Sequence, residues 1–225
     1  MLEIIKTIEN LRVTINMNEF DIKAAGWDKD PMHWDRSEVI THQIKKLIPL
    51  NRQMTALLYG AGTGIASFLL KDDLKEITLM DSSSEMVKII DEKIKTTKVK
   101  NLKTLYFDLE HADYRGKMFD LIFTQLVLHH VTDIENIIKK FYDLLNPGGH
   151  LAIADLYPED GSFHGKEFTG HKGFDPAELS KLLLRPGFIN ISHQKCYIMN
   201  RKVSDTETKH FDIFLLIANR DAINQ

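Results

Sequence analysis

Three glycines at alternate positions, Gly60, Gly62 and Gly64, directly follow the apolar run Thr55–Tyr59. Glycine reaches backbone angles that other residues avoid, and it has no Cβ to block a ligand. A strand that leads through such a loop into a helix is typical of the ligand-binding edge of an open α/β sheet, although a plain tight turn has the same composition. Dinucleotide-binding loops place their third glycine where this chain has Ile65, so the spacing disfavours a pyrophosphate ligand.

Two acidic residues follow the next two apolar runs of the chain. Asp81 ends the second run, where an acid can accept hydrogen bonds from both hydroxyls of a ribose. Its alternative role is to cap the helix that is predicted to start at Ser82. Asp108 ends the third run and could accept a hydrogen bond from an adenine amino group, or simply form a turn. A glycine loop followed by both acids favours a ligand that carries a nucleoside.

Histidines are the candidate proton acceptors, because imidazole titrates near physiological pH. His129 follows the fourth apolar run, beside His130, whereas His164 and His171 lie in the polar segment Pro158–Gly173. That segment is long enough to cover a substrate site. We predict His129, His164 and His171 as candidate catalytic residues, against the alternatives of a packed turn residue and solvated loop residues. Their spacing does not match that of zinc ligands, so no metal site is predicted.

The segments that position these residues alternate between strand-like and helix-like patterns, which indicates an α/β architecture. Five apolar runs alternate with helices. Two further runs have no helix between them and should form an antiparallel hairpin. The predicted strands are Thr55–Tyr59, Ile77–Met80, Thr104–Phe107, Leu121–Thr124, Leu151–Leu156, Ile189–Met199 and His210–Ala218. We therefore predict a Rossmann-like, seven-stranded, mostly parallel sheet with a C-terminal antiparallel hairpin and helices on both faces.

Helix start and stop signals separate the predicted strands. Ser82–Glu85 and Thr132–Glu135 have the capping-box pattern, and Asp175 precedes a proline at the first helical position. Asn146–Gly149 is predicted to end the helix that begins near Thr132. Residues 1–50 precede the first strand and should be helical. They contain two apolar stripes at helical spacing, formed by Ile4, Ile5, Ile8 and Leu11 and by Val39, Ile40, Ile44, Leu47 and Ile48.

Length and composition limit the possible partners. The 225 residues suffice for one compact domain. The net charge is −3 and the 29 basic residues are scattered, so a nucleic-acid partner is not expected. The longest apolar stretches are shorter than the ~20 residues of a membrane span, and the first residues lack the pattern of a secretory signal. With a single cysteine, Cys196, no internal disulfide is expected, and we predict a cytoplasmic location.

Five motifs follow one another along the chain: Leu57–Gly64, Asp81 with Met86, Phe107–Leu109, Phe119–Val131 and Leu144–Ile153. In this order and spacing the chain resembles the class I S-adenosylmethionine-dependent methyltransferases of the small-molecule type, over roughly residues 20–220. The predicted strands also match that family's fold. The resemblance implies S-adenosylmethionine as the cofactor, with residues 1–50 as a helical cap or lid and residues 51–225 as the methyltransferase domain.

The resemblance also implies which residues hold the cofactor. The methionine portion would lie against Gly60, Ala61 and Gly62, the ribose against Asp81 and Ser82, and the adenine against Met86, Asp108 and Leu109. Gln125 and Leu126 would offer carbonyls to the cofactor's amino group. The segment Phe20–Asp28, which includes Trp27, would close over the bound cofactor. Its alternative is a structural helix whose aromatic residues pack on the sheet.

One departure from the family pattern is Leu58, because similar enzymes carry Asp or Glu two residues before the first glycine.

We predict methyl transfer to a small-molecule acceptor. Displacement at a sulfonium requires alignment, and a base only where the acceptor must lose a proton, so no catalytic triad is needed. Two alternatives are a non-catalytic protein that binds S-adenosylmethionine, suggested by Leu58, and an NAD-type oxidoreductase on a similar sheet.

Overall fold

The computed structural model describes residues 19–222, and seven strands within that range form one sheet. The strands are β1 Thr55–Tyr59, β2 Glu76–Asp81, β3 Leu102–Tyr106, β4 Phe119–Gln125, β5 Leu145–Leu156, β6 Phe188–Lys202 and β7 Thr208–Arg220. Their order in the sheet is β3-β2-β1-β4-β5-β7-β6. The first five strands are parallel, and β7 is antiparallel to both β5 and β6. The predicted fold, including the C-terminal hairpin, is confirmed.

Helices cover both faces of the sheet. They are α1 Glu19–Lys23, α2 Pro31–Leu47, α3 Ile65–Leu70, α4 Ser84–Thr97, α5 Ile134–Leu144 and α6 Pro176–Leu184, with 3₁₀ helices at Ala24–Lys29 and Leu128–His130. Successive side chains of β1 point to opposite faces. Leu58 packs in the cluster that contains residues of α2, α3 and α4, whereas Leu57 packs with residues of α5 and α6. The sheet therefore separates two apolar cores.

The last three strands are longer than the sequence predicts, for physical reasons. β5 begins at Leu145 and includes Asn146–Gly149, which the sequence predicted only as a helix stop. Leu145 pairs with Phe119, and the register then shifts. Gly148 has a φ of +78°, so an irregularity at these residues lets the chain leave α5 and join the sheet at once. β6 and β7 also extend beyond their apolar runs, because they pair with each other through polar residues.

The helix caps were predicted one residue too early in two cases. The side chain of Ser83, rather than Ser82, caps α4 by accepting a hydrogen bond from the Met86 N–H. Asp133, rather than Thr132, caps α5 in the same way. The backbone N–H that needs an acceptor lies two or three residues after the cap. Either of two adjacent polar side chains can therefore accept its hydrogen bond, and the sequence pattern does not distinguish them. The predicted cap of α6 by Asp175 is confirmed.

Part of the N-terminal segment belongs to the core of the sheet. The predicted stripe is confirmed at Ile40, Ile44 and Ile48, which are buried against the strands, whereas Leu47 is 44% exposed. The other predicted stripe, Ile4 to Leu11, lies outside the described residues. Across residues 19–222, no helix combines the length and the apolar character that a bilayer-spanning segment requires.

The order of the strands reverses between β1 and β4. The next strand along the chain after β1 lies on one side of it, and β4 lies on the other. In open α/β sheets, ligands bind in the crevice at the carboxyl ends of the strands at such a point. The fold therefore brings the glycine loop after β1 next to the residues that follow β4.

Candidate active site

The glycine loop packs directly against the segment that follows β4. Gly60, Gly62 and Gly64 all have positive φ angles, of 65°, 54° and 84°. A Cβ on Gly60 would overlap the side chain of Val127. Leu126, beside it, also has a positive φ of 54°, and its N–H donates to the carbonyl of Ala154. Strained backbone of this kind is concentrated at functional sites.

Asp81 connects this loop to the start of α4. Its Oδ2 accepts a hydrogen bond from the Gly62 N–H at 2.7 Å, and its Oδ1 accepts one from the Ser83 N–H at 2.8 Å. Burial raises the pKa of the carboxyl group to about 6, although hydrogen bonds from the backbone of Ser83, Gly62 and Ser82 oppose the shift. Asp81 therefore shapes the loop, a role that the sequence did not indicate.

The predicted adenine-binding residues lie at the next strand end. Asp108 is half-exposed, and its Oδ1 accepts hydrogen bonds from the N–H groups of Glu110 and His111, so it does form the turn considered as its alternative. Leu109 is buried, and its carbonyl accepts a hydrogen bond from Lys140 at 2.8 Å. Met86 is buried at the start of α4. The contact of these three residues with the adenine remains a prediction.

A cleft opens between the glycine loop and α2. It is lined by the loop residues together with Trp27, Arg36, Ser37, Leu58 and Gln125. Arg36 is only 6% exposed, and within residues 19–222 its Nε has no hydrogen-bond partner. Burial lowers the pKa of its guanidinium to about 10. A buried donor without a partner is costly, so this side chain is suited to an anionic group of a ligand.

Gln125 lines the cleft beside Arg36. Its Nε2 donates to the Ser37 hydroxyl at 2.7 Å, whereas its buried Oε1 has no partner among the described residues. An amide oxygen in this state is suited to a donor such as an ammonium group. The cleft therefore holds an unused donor and an unused acceptor. Sequence reasoning missed Arg36 and Ser37, since a helix stripe does not show which polar residues face a cleft.

The segment Glu19–Lys29 lies across the entrance and contacts both sides of the crevice. Asp28 accepts a hydrogen bond from the Thr63 hydroxyl and pairs with Lys93, which also donates to the Thr63 carbonyl. Trp27 stacks on His33 with ring centroids 4.3 Å apart and lines the cleft. We call residues 19–29 the lid segment. Its position fits the predicted closing role, and Trp27 faces the cleft rather than the sheet core.

Three histidines gather on the other side of the lid segment. Fully buried Asp155 accepts a hydrogen bond from His129 Nδ1 at 2.6 Å, and His129 Nε2 lies 3.0 Å from His164 Nε2. The ring of His130 lies 4.3 Å from that of His129 and 5.0 Å from that of Phe20 in the lid segment. Burial is the main reason why the pKa values fall to about 4 for His130 and about 3 for His164. Both rings are therefore neutral at pH 7.

The segment between β5 and α6 forms the wall of this histidine cluster. The His171 N–H donates to the His129 carbonyl at 2.8 Å, and a Cβ on Gly170 would overlap the same carbonyl. The His164 ring stacks on Phe168, with centroids 4.1 Å apart. The imidazole of His171 lies instead beside Phe174, so the structure brings together only two of the three predicted catalytic histidines.

This arrangement agrees with the comparison to known sequences. A family model for methyltransferase domains matches residues 57–153, which include the glycine loop, Asp81, Asp108 and Gln125. Residues 57–153 of this chain are a methyltransferase domain of the class I S-adenosylmethionine-dependent type. The chain thus carries the domain of an enzyme, and S-adenosylmethionine is its cofactor, as the sequence predicted.

Individual relatives of this methyltransferase domain agree with the assignment. An uncharacterised methyltransferase of Schizosaccharomyces pombe is 29% identical over 153 residues, which are 61% of this chain and 54% of that protein. The chain thus spans about half the length of this curated relative. An S-adenosylmethionine-dependent methyltransferase of Aquifex aeolicus has a TM-score of 0.63 at 19% identity, covering 88% of this chain and 97% of that one. Phosphoethanolamine N-methyltransferase 2 of Haemonchus contortus, in complex with S-adenosylmethionine, has a TM-score of 0.66 at 16% identity, covering 84% and 53%. These two structures establish the fold.

Proposed function

We propose that this chain transfers the methyl group of S-adenosylmethionine to a small-molecule acceptor. The observation that carries the proposal is the pair of unused polar atoms in the cleft, Arg36 Nε and Gln125 Oε1. S-adenosylmethionine ends in an α-carboxylate and an α-ammonium group. A guanidinium can bind the carboxylate and an amide oxygen can accept from the ammonium.

This pairing offers a physical explanation for Leu58. The acid that similar enzymes carry at that position supports the methionine end of the cofactor, and here an apolar side chain that is 1% exposed replaces it. Gln125 supplies an acceptor in the same cleft, so the ammonium group keeps a partner. An NAD-type ligand could pair its pyrophosphate with Arg36, but it has no α-ammonium group to donate to Gln125 Oε1.

The remaining proposed contacts are given along the cofactor, from its methionine portion to its adenine. The glycine loop, at Gly60, Ala61 and Gly62, would lie along the methionine portion. Asp81 and Ser82 would hold the ribose, and Met86, Asp108 and Leu109 would border the adenine. Trp27, Gln125 and the backbone of Leu126 would complete the site. With the lid segment closed, the sulfonium methyl group would point towards the acceptor, and alignment of that kind supplies much of the rate enhancement in a displacement.

The small size of the acceptor is supported by the geometry of the entrance. The lid segment and the loop Pro158–Gly173 both lie over the carboxyl ends of the strands, which restricts access from solvent. A scattered charge distribution and a net charge of −3 do not favour nucleic acid. A cytoplasmic location is part of the same proposal.

The decisive test uses two ligands that differ only at the amino acid end, S-adenosylhomocysteine and 5′-methylthioadenosine. If Arg36 binds the carboxylate, Arg36→Met removes a charge-assisted hydrogen bond of about 1.5–3 kcal/mol. The affinity for S-adenosylhomocysteine should fall about 10- to 100-fold. The affinity for 5′-methylthioadenosine should not change. Arg52→Met is the matched control, because Arg52 is exposed and donates to the Asp72 carbonyl, away from the cleft.

Two results would count against the proposal. Equal losses for both ligands in Arg36→Met would show a general structural effect of the substitution. The second test is turnover of S-adenosylmethionine labelled in its methyl group with a panel of oxygen, nitrogen, sulfur and carbon nucleophiles. Binding without transfer to any acceptor would favour the non-catalytic alternative that Leu58 suggests.

A further inference from the structure

Three imidazoles converge on one point between the lid segment and the loop Pro158–Gly173. His129 and His130 lie in the 3₁₀ helix after β4, and His164 lies in the loop. One ring nitrogen from each lies within 4.8 Å of the other two. Nitrogen ligands at about 2.0–2.1 Å from a tetrahedral zinc ion lie about 3.4 Å from one another. The 3.0 Å separation between Nε2 of His129 and Nε2 of His164 is close to that value, whereas the widest of the three separations, up to 4.8 Å, would have to shorten on binding.

Asp155 orients the first of these ligands. Its Oδ1 accepts from His129 Nδ1 at 2.6 Å and from the Leu156 N–H at 2.8 Å, and the carboxylate is fully buried. An imidazole that donates its Nδ1–H to a carboxylate presents the lone pair of Nε2 to the opposite side. A carboxylate, a histidine and a metal ion in line are the usual arrangement at zinc sites in proteins.

Charges around the cluster are balanced. Glu19 of the lid segment lies 3.7 Å from His130 Nδ1, and Glu19 also pairs with Lys23 at 2.6 Å. Arg201 lies over the ring of Phe163, 4.6 Å from its centroid, and the ring of Phe163 contacts that of His164. Buried Asp155 also has an Oδ2 with no hydrogen-bond partner among the described residues. A bound cation would therefore lie near the buried negative charge of Asp155 as well as the positive charges of Lys23 and Arg201.

We propose that His129, His130 and His164 form a binding site for one divalent transition-metal ion of the zinc class. Three imidazole nitrogens bind the ion, Asp155 orients His129, and a fourth position is open to water. The assignment uses the lone pairs of His129 and His164, so it replaces their predicted role as proton acceptors. It concerns metal binding alone and can be tested independently of methyl transfer.

The experiment is a titration of chelator-treated protein with Zn²⁺ in competition with a chromophoric chelator, followed by substitution with Co²⁺. We expect one ion per chain and the visible absorption of tetrahedral cobalt. His164→Gln keeps the size of the half-buried side chain but loses the imidazole ligand, and it should lower the Zn²⁺ affinity at least 10-fold. Asp155→Asn should lower it 10- to 100-fold through the orientation of His129.

His171→Gln is the matched control, since it changes a histidine in the same loop whose ring lies outside the cluster. Circular dichroism and the affinity for S-adenosylhomocysteine report whether each variant is folded. His130→Gln is the second ligand variant, should His164→Gln not fold. The absence of stoichiometric Zn²⁺ binding would overturn the proposal. An unchanged Zn²⁺ affinity in folded His164→Gln or His130→Gln protein would overturn it as well.

Discussion

Both carboxylate oxygens of Asp81 accept backbone hydrogen bonds, one from the glycine loop and one from the start of α4. Each oxygen has a further lone pair, so the same side chain can also accept hydrogen bonds from a ligand. The ribose role therefore remains a prediction, and a structural role is added to it. The alternatives weighed on the sequence are not mutually exclusive at this residue.

Asp81→Asn separates these roles. Loss of the charge should lower the affinity for S-adenosylhomocysteine and for 5′-methylthioadenosine by a similar factor, about 10- to 100-fold, because both ligands contain the ribose. One backbone N–H also loses its acceptor, which costs about 1 kcal/mol of the free energy of unfolding and opposes the gain from removing a buried charge at neutral pH. Calorimetry and chemical denaturation of the same variant measure the two effects. A destabilised variant with wild-type affinity would show that Asp81 only shapes the loop.

The pH dependence of binding follows from the raised pKa of Asp81, about 6 compared with 3.8 in the unfolded chain. Ribose hydroxyls donate best to the charged carboxylate, so the affinity for S-adenosylhomocysteine should fall as the pH drops below about 6. Asp81→Asn should remove this dependence. Because the folded-state pKa is raised, the contribution of Asp81 to stability is fully present below pH 3.8 and is lost as the pH rises through about 6. Calorimetric measurements of the affinity for S-adenosylhomocysteine and of the free energy of unfolding on both sides of pH 6, with wild type and variant, check the sign of both changes.

At the scale of elements, the lid segment is held by polar contacts rather than by a large apolar face. Asp28 contacts Thr63 and Lys93, and Asp21 accepts a hydrogen bond from the Ser83 hydroxyl. Ala24 is the only buried residue of α1 and the following 3₁₀ helix. Elements with few buried apolar contacts open with little cost, so the segment can move without unfolding the sheet.

Hydrogen exchange of residues 20–34 should therefore slow when S-adenosylhomocysteine binds, while exchange in β1 and β4 stays the same. Asp28→Asn removes the ion pair with Lys93, which is part-exposed and contributes at most about 1 kcal/mol. Exchange in the segment should accelerate in this variant. If protection were identical with and without ligand, the segment would be a structural helix, the alternative stated from the sequence.

The sequence predicted elements better than it predicted their ends. Apolar runs identified all seven strands. The central strands are buried on both faces and leave a continuous signal, whereas β3 and β6 at the edges of the sheet are largely exposed or half-buried. The pattern does not record pairing between polar residues, so the additional length of β6 and β7 was not visible. The early start of β5 was not visible in the pattern either, because glycines join this strand directly to a helix.

At the scale of the whole molecule, the methyltransferase domain, the fold and the cofactor were predicted from the sequence and are confirmed. The contacts between residues of the site could not be predicted from the sequence. Gln125 contacts Ser37, which is 88 residues away in the sequence, and His129 contacts His164, which is 35 residues away. Periodicity and local motifs contain no information on contacts of this range, which arise only when the sheet is assembled. For the same reason Arg36 was missed.

Ligand binding should stabilise the whole molecule, because the proposed site joins the lid segment, α2, the glycine loop and β4. A ligand at 100 times its dissociation constant adds about 2.7 kcal/mol to the free energy of unfolding. For a domain of this size that corresponds to a rise in Tm of about 5–11 °C. Thermal denaturation with S-adenosylhomocysteine measures it. Arg36→Met should show a much smaller rise at the same ligand concentration.

The central claim is that the crevice between β1 and β4 binds S-adenosylmethionine and not a dinucleotide. Isothermal titration calorimetry of the purified chain with S-adenosylhomocysteine and, separately, with NAD tests it most directly. We predict binding of one S-adenosylhomocysteine per chain and no heat of binding with NAD. Saturable heat with NAD together with none for S-adenosylhomocysteine would contradict the claim.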